Sequence, residues 1–343
     1  MLLRLSALTA LVLLLLVAFK TVSGDHRTLP LAGVERSGIE QASIESASIE
    51  QASTEQAAIA ASAPVSDAIN FEQQWVVSAP KAKQLIDQGA TLLDARGTRL
   101  GRRTLPGARA VSWKTFSAQA PASARGNLLA DDNTLTQKLR DLGISADTPV
   151  VVFANPPSGW GEDGRIVWML RTLGHRQAVM VDGGHNALIN AGVSPQRTDS
   201  DRSAERGDFV INRDPRWDIQ QDSLQQQLGA DNLVVIDTRQ AREFSGATPY
   251  GEQRGGHIPG AVHLHFKDLL AEDGLLRSPT DIRERLQALG ITPDTQIVTY
   301  CTGGIRSGWL TAVLTTLGFS VQNYAGSMWE WSAGEPAEYP LEF

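Results

Sequence analysis

Val234-Val235-Ile236-Asp237-Thr238-Arg239 is a short apolar run that stops on Asp-x-Arg, and Thr91-Leu92-Leu93-Asp94-Ala95-Arg96 is its counterpart 143 residues earlier. A short apolar run without alternation reads as a strand buried on both faces. The agreement continues on either side. Leu105-Pro106-Gly107-Ala108 answers Ile258-Pro259-Gly260-Ala261, and the run Pro149 to Phe153 answers Gln296 to Tyr300. Leu170-Arg171-Thr172-Leu173-Gly174 answers Leu314-Thr315-Thr316-Leu317-Gly318, and each copy closes on a further strand, Gln177 to Val181 or Val321 to Tyr324. The order holds at an offset of 143 to 153 residues, which is a whole domain rather than a solenoid unit. Helical stretches such as Asp281 to Leu289 alternate with the strands. That alternation predicts an α/β fold of two tandem domains, each a mainly parallel sheet with helices on both faces.

The 343 residues hold more than these two domains. Met1 to Gly24 read as an export signal, with Arg4 ahead of an apolar run from Leu5 to Phe19 and small residues at Val22-Ser23-Gly24. The run is shorter than the roughly twenty residues of a membrane span, although Lys20 after it leaves a retained signal anchor as the alternative. The expected location is therefore the periplasm, or its membrane face if the leader stays. Residues 25–69 read as a low-complexity spacer with a five-residue repeat, Ile39 to Ser43, Ile44 to Ser48 and Ile49 to Ser53. A period of five sends successive Ile residues to different sides of a helix, so no apolar stripe forms and a solvated tether is expected. The first domain is then 70–197, the linker 198–216 and the second domain 217–343. A net charge of −7, with no block of Lys and Arg, argues against nucleic acid as a partner, and nothing in the chain demands an oligomer.

Cys301 is the only cysteine, so no disulfide within the chain can use it. A lone thiol in an exported chain is either a small buried hydrophobe or a reactive group. It directly follows the strand Gln296 to Tyr300 and opens Cys301-Thr302-Gly303-Gly304-Ile305-Arg306-Ser307, after which Gly308 to Leu314 read as a helix. Ligands of parallel α/β sheets bind beyond the carboxyl ends of strands. Gly303 and Gly304 let backbone N–H groups converge there, the helix start adds partial positive charge, and Arg306 adds a full one. All three favour a thiolate, so the reactive reading is preferred.

Asp237-Thr238-Arg239, Arg242-Glu243-Phe244, Gly256-His257-Ile258-Pro259-Gly260-Ala261, Tyr300-Cys301 and Tyr324-Ala325-Gly326-Ser327 together resemble the rhodanese family. Its tandem-domain thiosulfate and 3-mercaptopyruvate sulfurtransferases are the nearest in arrangement. The resemblance implies two rhodanese-like domains, a Cys301 persulfide, and double displacement from a small donor to cyanide or a thiol, without metal or organic cofactor. Thiosulfate is the preferred donor and 3-mercaptopyruvate the alternative. A persulfide carrier that serves one protein partner is a reading of a different class. Tyrosine phosphatases of similar fold place five residues between Cys and Arg, whereas four separate Cys301 from Arg306, which fits a sulfur atom better than a phosphate.

The loop residues Thr302, Gly303, Gly304, Ile305, Arg306 and Ser307 are expected around the sulfur. Arg239 and Arg242 are candidates for holding the donor's anionic group, although for Arg239 an internal ion pair to Asp237 is the preferred reading, since the first copy keeps the pair as Asp94 and Arg96. His257 is read as scaffold, beside Asp237, rather than as a base. Trp329 is expected in the pocket wall. In the first copy Ala154 falls at the cysteine position, so that half is expected to be non-catalytic and to wall the cleft.

Overall fold

The computed structural model describes residues 69–97, 104–195 and 205–343. The leader and almost all of the expected spacer lie outside the described residues.

The first half builds a sheet from β1 (Val76–Val77), β2 (Thr91–Asp94), β3 (Arg109–Ala110), β4 (Val150–Phe153) and β5 (Ala178–Val181), in the order β1-β5-β4-β2-β3. The second builds one from β6 (Leu233–Asp237), β7 (Val262–His263), β8 (Gln296–Tyr300) and β9 (Ser320–Asn323), in the order β7-β6-β8-β9. Every pairing is parallel. The duplicated runs pair in like register, Asp94 opposite Phe153 and Asp237 opposite Tyr300. The second sheet lacks a counterpart of β1 and keeps only a bridge between Asp218 and Asn323.

Six helices cover the faces first: α1 (Ala79–Asp87), α2 (Asp132–Asp141), α3 (Glu162–Thr172), α4 (Gly184–Asn190), α5 (Gln221–Gln227) and α6 (Ala241–Phe244). After them come α7 (Pro279–Ala288), α8 (Ile305–Thr316) and α9 (Ser327–Trp331). Helix α8 is buried from Ile305 through Thr315, and α3 from Asp163 through Thr172. A helix buried all round belongs inside a core, and these two pack on each other between the halves. One apolar cluster consequently runs from Leu135, Ile166 and Trp168 of the first half to Trp309, Leu310 and Val313 of the second.

The expected linker does not hang free where it is described. From Gly207 to Asp214 it hydrogen-bonds along the first half, Gly207 N to Arg140 O, Phe209 N to Ile144 O and Asn212 N to Leu173 O. Phe209 is buried there, which explains why this polar stretch is held. Helix α8 also starts three residues before the expected Gly308, so Arg306 and Ser307 belong to its first turn. The cause is Gly304, whose φ of +82° turns the chain straight from strand end into helix.

Candidate active site

Strand β8 ends at Tyr300, and the next side chain, Cys301, forms the floor of a cavity of about 430 Å³ between the halves. Its Sγ accepts hydrogen bonds from Gly304 N–H at 3.2 Å and from Ser307 Oγ–H at 3.6 Å. A side chain at Gly304 would meet Arg165 Nη1 at 2.2 Å and Ala325 O at 2.7 Å, so the close turn needs glycine. Helix α9 ties the loop down from the other side. Ser327 Oγ accepts from Cys301 N at 3.1 Å, while Met328 N and Trp329 N donate to the carbonyls of Cys301 and Thr302.

Arg306 lies beside the sulfur and is itself held. Its guanidinium makes two hydrogen bonds to the Glu243 carboxylate, at 2.7 and 2.8 Å, and a third to Thr302 Oγ1 at 2.6 Å. Both partners of this ion pair are buried. Burial pushes the Cys301 thiol up, but the Arg306 charge and the hydrogen bonds from Ser307 and Gly303 outweigh it, so the thiol lies below its ordinary value. Burial likewise raises Glu243, and Arg306 more than reverses it.

The cavity wall is aromatic and cationic. Trp113 and Trp160 come from the first half, Tyr250 and Trp329 from the second. The Arg125 guanidinium stacks over the Trp329 ring at 3.7 Å, and that of Arg306 lies 5.2 Å from the Trp160 ring. Lys114 and Arg125 bring two cations to the cavity, and Glu162 brings one carboxylate. Trp329 also donates from Nε1 to Tyr250 O at 2.9 Å, which fixes its ring over Gly303.

The structure therefore gathers Cys301, Thr302, Ile305, Arg306 and Trp329 at the cavity, with Gly303, Gly304 and Ser307 immediately behind. Arg242 needs correcting, and Arg239 takes the internal ion pair instead of a place at the cavity. Arg239 is wholly buried, and its guanidinium is held by Asp237, at 2.6 Å for the closest contact, and by Gly256 O at 2.7 Å. An Arg two residues after an Asp at a strand end closes on its own neighbour, as Arg96 does on Asp94 at 2.6 Å. Arg242 is exposed and donates to Gln240 Oε1. One position along a helix is a rotation of 100°, and it is Glu243 that α6 directs to the site. Asp237 and His257 stand in the scaffold. The His257 ring stacks on Phe244 with centroids 3.7 Å apart, and its Nδ1 lies 3.0 Å from Phe244 O.

The sequence reading missed Glu243, Ser327 and the individual first-half residues of the wall, though it expected that half to wall the cleft. Glu243 had a signal, since an arginine starting an apolar helix demands a buried acid. Lys114 and Arg125 had none, because they come from short turns without periodicity.

Residues 220–334 match the family described as rhodanese-like domain. The chain is 33% identical over 243 residues to a thiosulfate sulfurtransferase of Pseudomonas aeruginosa, a match covering 69% of this chain and 85% of that protein. It is 29% identical over 282 residues to the 3-mercaptopyruvate sulfurtransferase of Rattus norvegicus, covering 75% and 90%. Among solved structures, the 3-mercaptopyruvate sulfurtransferase from Leishmania major aligns with a TM-score of 0.64 at 20% identity, over 78% of this chain and 76% of that one, a likeness of fold.

Proposed function

This chain belongs to the rhodanese family and is a sulfurtransferase of the thiosulfate and 3-mercaptopyruvate kind, and on that premise we propose that it moves sulfane sulfur from thiosulfate to a thiol or cyanide through a persulfide on Cys301. The carrying observation is the Cys301 sulfur at the cavity floor, taking hydrogen bonds from Gly304 and Ser307 beside Arg306.

In the first step the thiolate attacks the outer sulfur of thiosulfate. The S–S bond of the donor breaks, sulfite leaves with its electron pair, and Cys–S–S⁻ forms. An acceptor nucleophile then takes the terminal sulfur, and the Cys301 thiolate leaves with the electron pair of the persulfide bond. No outside oxidant or reductant is needed. The lowered thiol supplies the nucleophile, and the same donors face the persulfide anion. Lys114 and Arg125 offer the donor's sulfonate the positive charge that Arg239 and Arg242 cannot bring to the cavity. Their two charges favour dianionic thiosulfate over 3-mercaptopyruvate. Export rests on Met1 to Gly24 alone, and N-terminal sequencing of the protein recovered from cell fractions tests it.

The main test is intact-mass spectrometry after thiosulfate and, separately, after 3-mercaptopyruvate, with Cys301→Ser as control. A gain of one sulfur on the wild type only, larger with thiosulfate, is expected. No gain from either donor would falsify the persulfide route.

A further inference from the structure

Arg165 is 1% exposed and belongs to α3, in the half that has alanine at the cysteine position. Its guanidinium nevertheless reaches across to the sulfur loop. Nη1 donates to Gly304 O at 3.1 Å, and Nη2 donates to Ser117 Oγ at 2.8 Å and to Gly126 O at 2.6 Å. Gly304 is the residue whose N–H points at Cys301 Sγ, so Arg165 holds one end of the peptide plane pair that aims the donor at sulfur. All three acceptors are neutral, and no carboxylate forms an ion pair with Arg165 among the described residues. A buried guanidinium without a counter-ion is costly, so something nearby must offset it.

The Cys301 anion is the first such group and Asp218 the second. Burial pulls the Arg165 guanidinium down to about 10, and Cys301 is the foremost anion opposing that pull, ahead of Asp218. Arg306 is nearer the sulfur and exerts the stronger attraction on it. Yet Glu243 carries an opposite charge against the same guanidinium, so Arg306 reaches the sulfur as one side of a pair. Glu252, at 3.3 Å from Thr302 Oγ1, adds a further negative group to that side. Arg165 has only neutral hydrogen-bond acceptors, and besides Cys301 the carboxylate opposing its desolvation is Asp218, itself pushed up to about 7 by burial.

We propose that Arg165 is a positioning residue supplied by the non-catalytic half, which fixes the loop through Gly304 O and sets against the sulfur anion a positive charge that no carboxylate hydrogen-bonds. This rests on Cys301 being the reactive thiol, but not on the identity of the donor. The first half thereby takes part in activating the thiol as well as in walling the cleft.

The test is the pH dependence of Cys301 alkylation by iodoacetamide in the full chain, for wild type, Arg165→Gln and Arg165→Lys, with Cys301→Ser as blank. Gln keeps a donor for the carbonyls and loses the charge; Lys keeps the charge and loses the fork. Arg165→Gln should shift the profile upward by about one pH unit, roughly a tenfold loss of thiolate near neutrality. Arg165→Lys should stay within about a third of that shift. An unchanged profile in Arg165→Gln overturns the proposal, and so does a Lys profile displaced as far as that of Gln. If Gln does not fold, Lys against wild type decides alone: a near-wild-type profile supports a charge role, and a full shift overturns it. Persulfide formation is read separately by mass, so a failure there is distinguishable from a failure here.

Discussion

Both halves run a strand into a helix through a glycine at φ +82°, Gly161 in one and Gly304 in the other, but two residues later one has Asp163 and the other Arg306. The same scaffold thus carries opposite charges at one position. In the second half three residues reach from Cys301 to the glycine, and in the first half seven reach from Ala154 to it. The longer loop no longer forms a cradle. It puts Trp160 over Arg306 of the other half and Glu162 on the other half's cavity. Burial pushes the Asp163 carboxyl up to about 7, and one of its oxygens has no hydrogen-bond partner among the described residues. A sheet and a capped helix are therefore not sufficient for sulfur chemistry. The loop's length and the sign of one buried charge decide it.

The strongest way to break this comparison is to move the thiol. Ala154→Cys in a Cys301→Ser background should take up no sulfur from thiosulfate, because that cysteine would neighbour Asp163 instead of an arginine; intact mass measures it, and a sulfur gain would refute the charge argument. Next in size is Glu243→Gln, which leaves Arg306 buried without its partner. A loss of about 3–5 kcal/mol in urea unfolding is expected, together with a still lower Cys301 pKa, since the Arg306 charge is freed. An unchanged stability would mean the pair is not buried as described.

Asp163→Asn comes third. Its folded pKa lies above the ordinary carboxylate value, so the protonated acid favours the fold; that stability is complete below the unfolded value near 4 and is lost as pH rises through about 7. The amide cannot ionise, so the variant should gain about 4 kcal/mol over wild type at pH 8.5 and little at pH 4. Asp218, also raised to about 7 by burial, leaves part of the pH slope in place. A variant no more stable at high pH would show that the wild-type carboxylate is already solvated. The smallest effect is expected at the rim. Lys114→Ala with Arg125→Ala should raise KM for thiosulfate about tenfold, on the order of 1.4 kcal/mol, with kcat changed far less. An equal fall in kcat would place these residues in the chemical step.

The legible parts of the molecule were those with local causes. Apolar runs ending in Asp-x-Arg gave β2 and β6, and Cys301 before two glycines and an arginine gave the reactive loop. The Asp237–Arg239 ion pair was legible because the first half repeats it as Asp94 and Arg96, two residues apart at a strand end in both. Arg242 and Glu243 are adjacent, and only the rotation of a four-residue helix decides which one faces Arg306. Lys114, Arg125, Trp160 and Arg165 reach the site through packing of α3 on α8, a tertiary event that leaves no spacing to read.

The apolar cluster shared by α3 and α8 also bears on how substrates are chosen. Domains joined by small polar interfaces are free to rock, and enzymes built that way select by closing on the right ligand. Here the two halves that line the cavity share a single core through α3 and α8, an arrangement that resists rocking. The expected selection is that of a sieve of fixed mesh, in which size and charge at the entrance decide and no binding energy is diverted to closing a hinge.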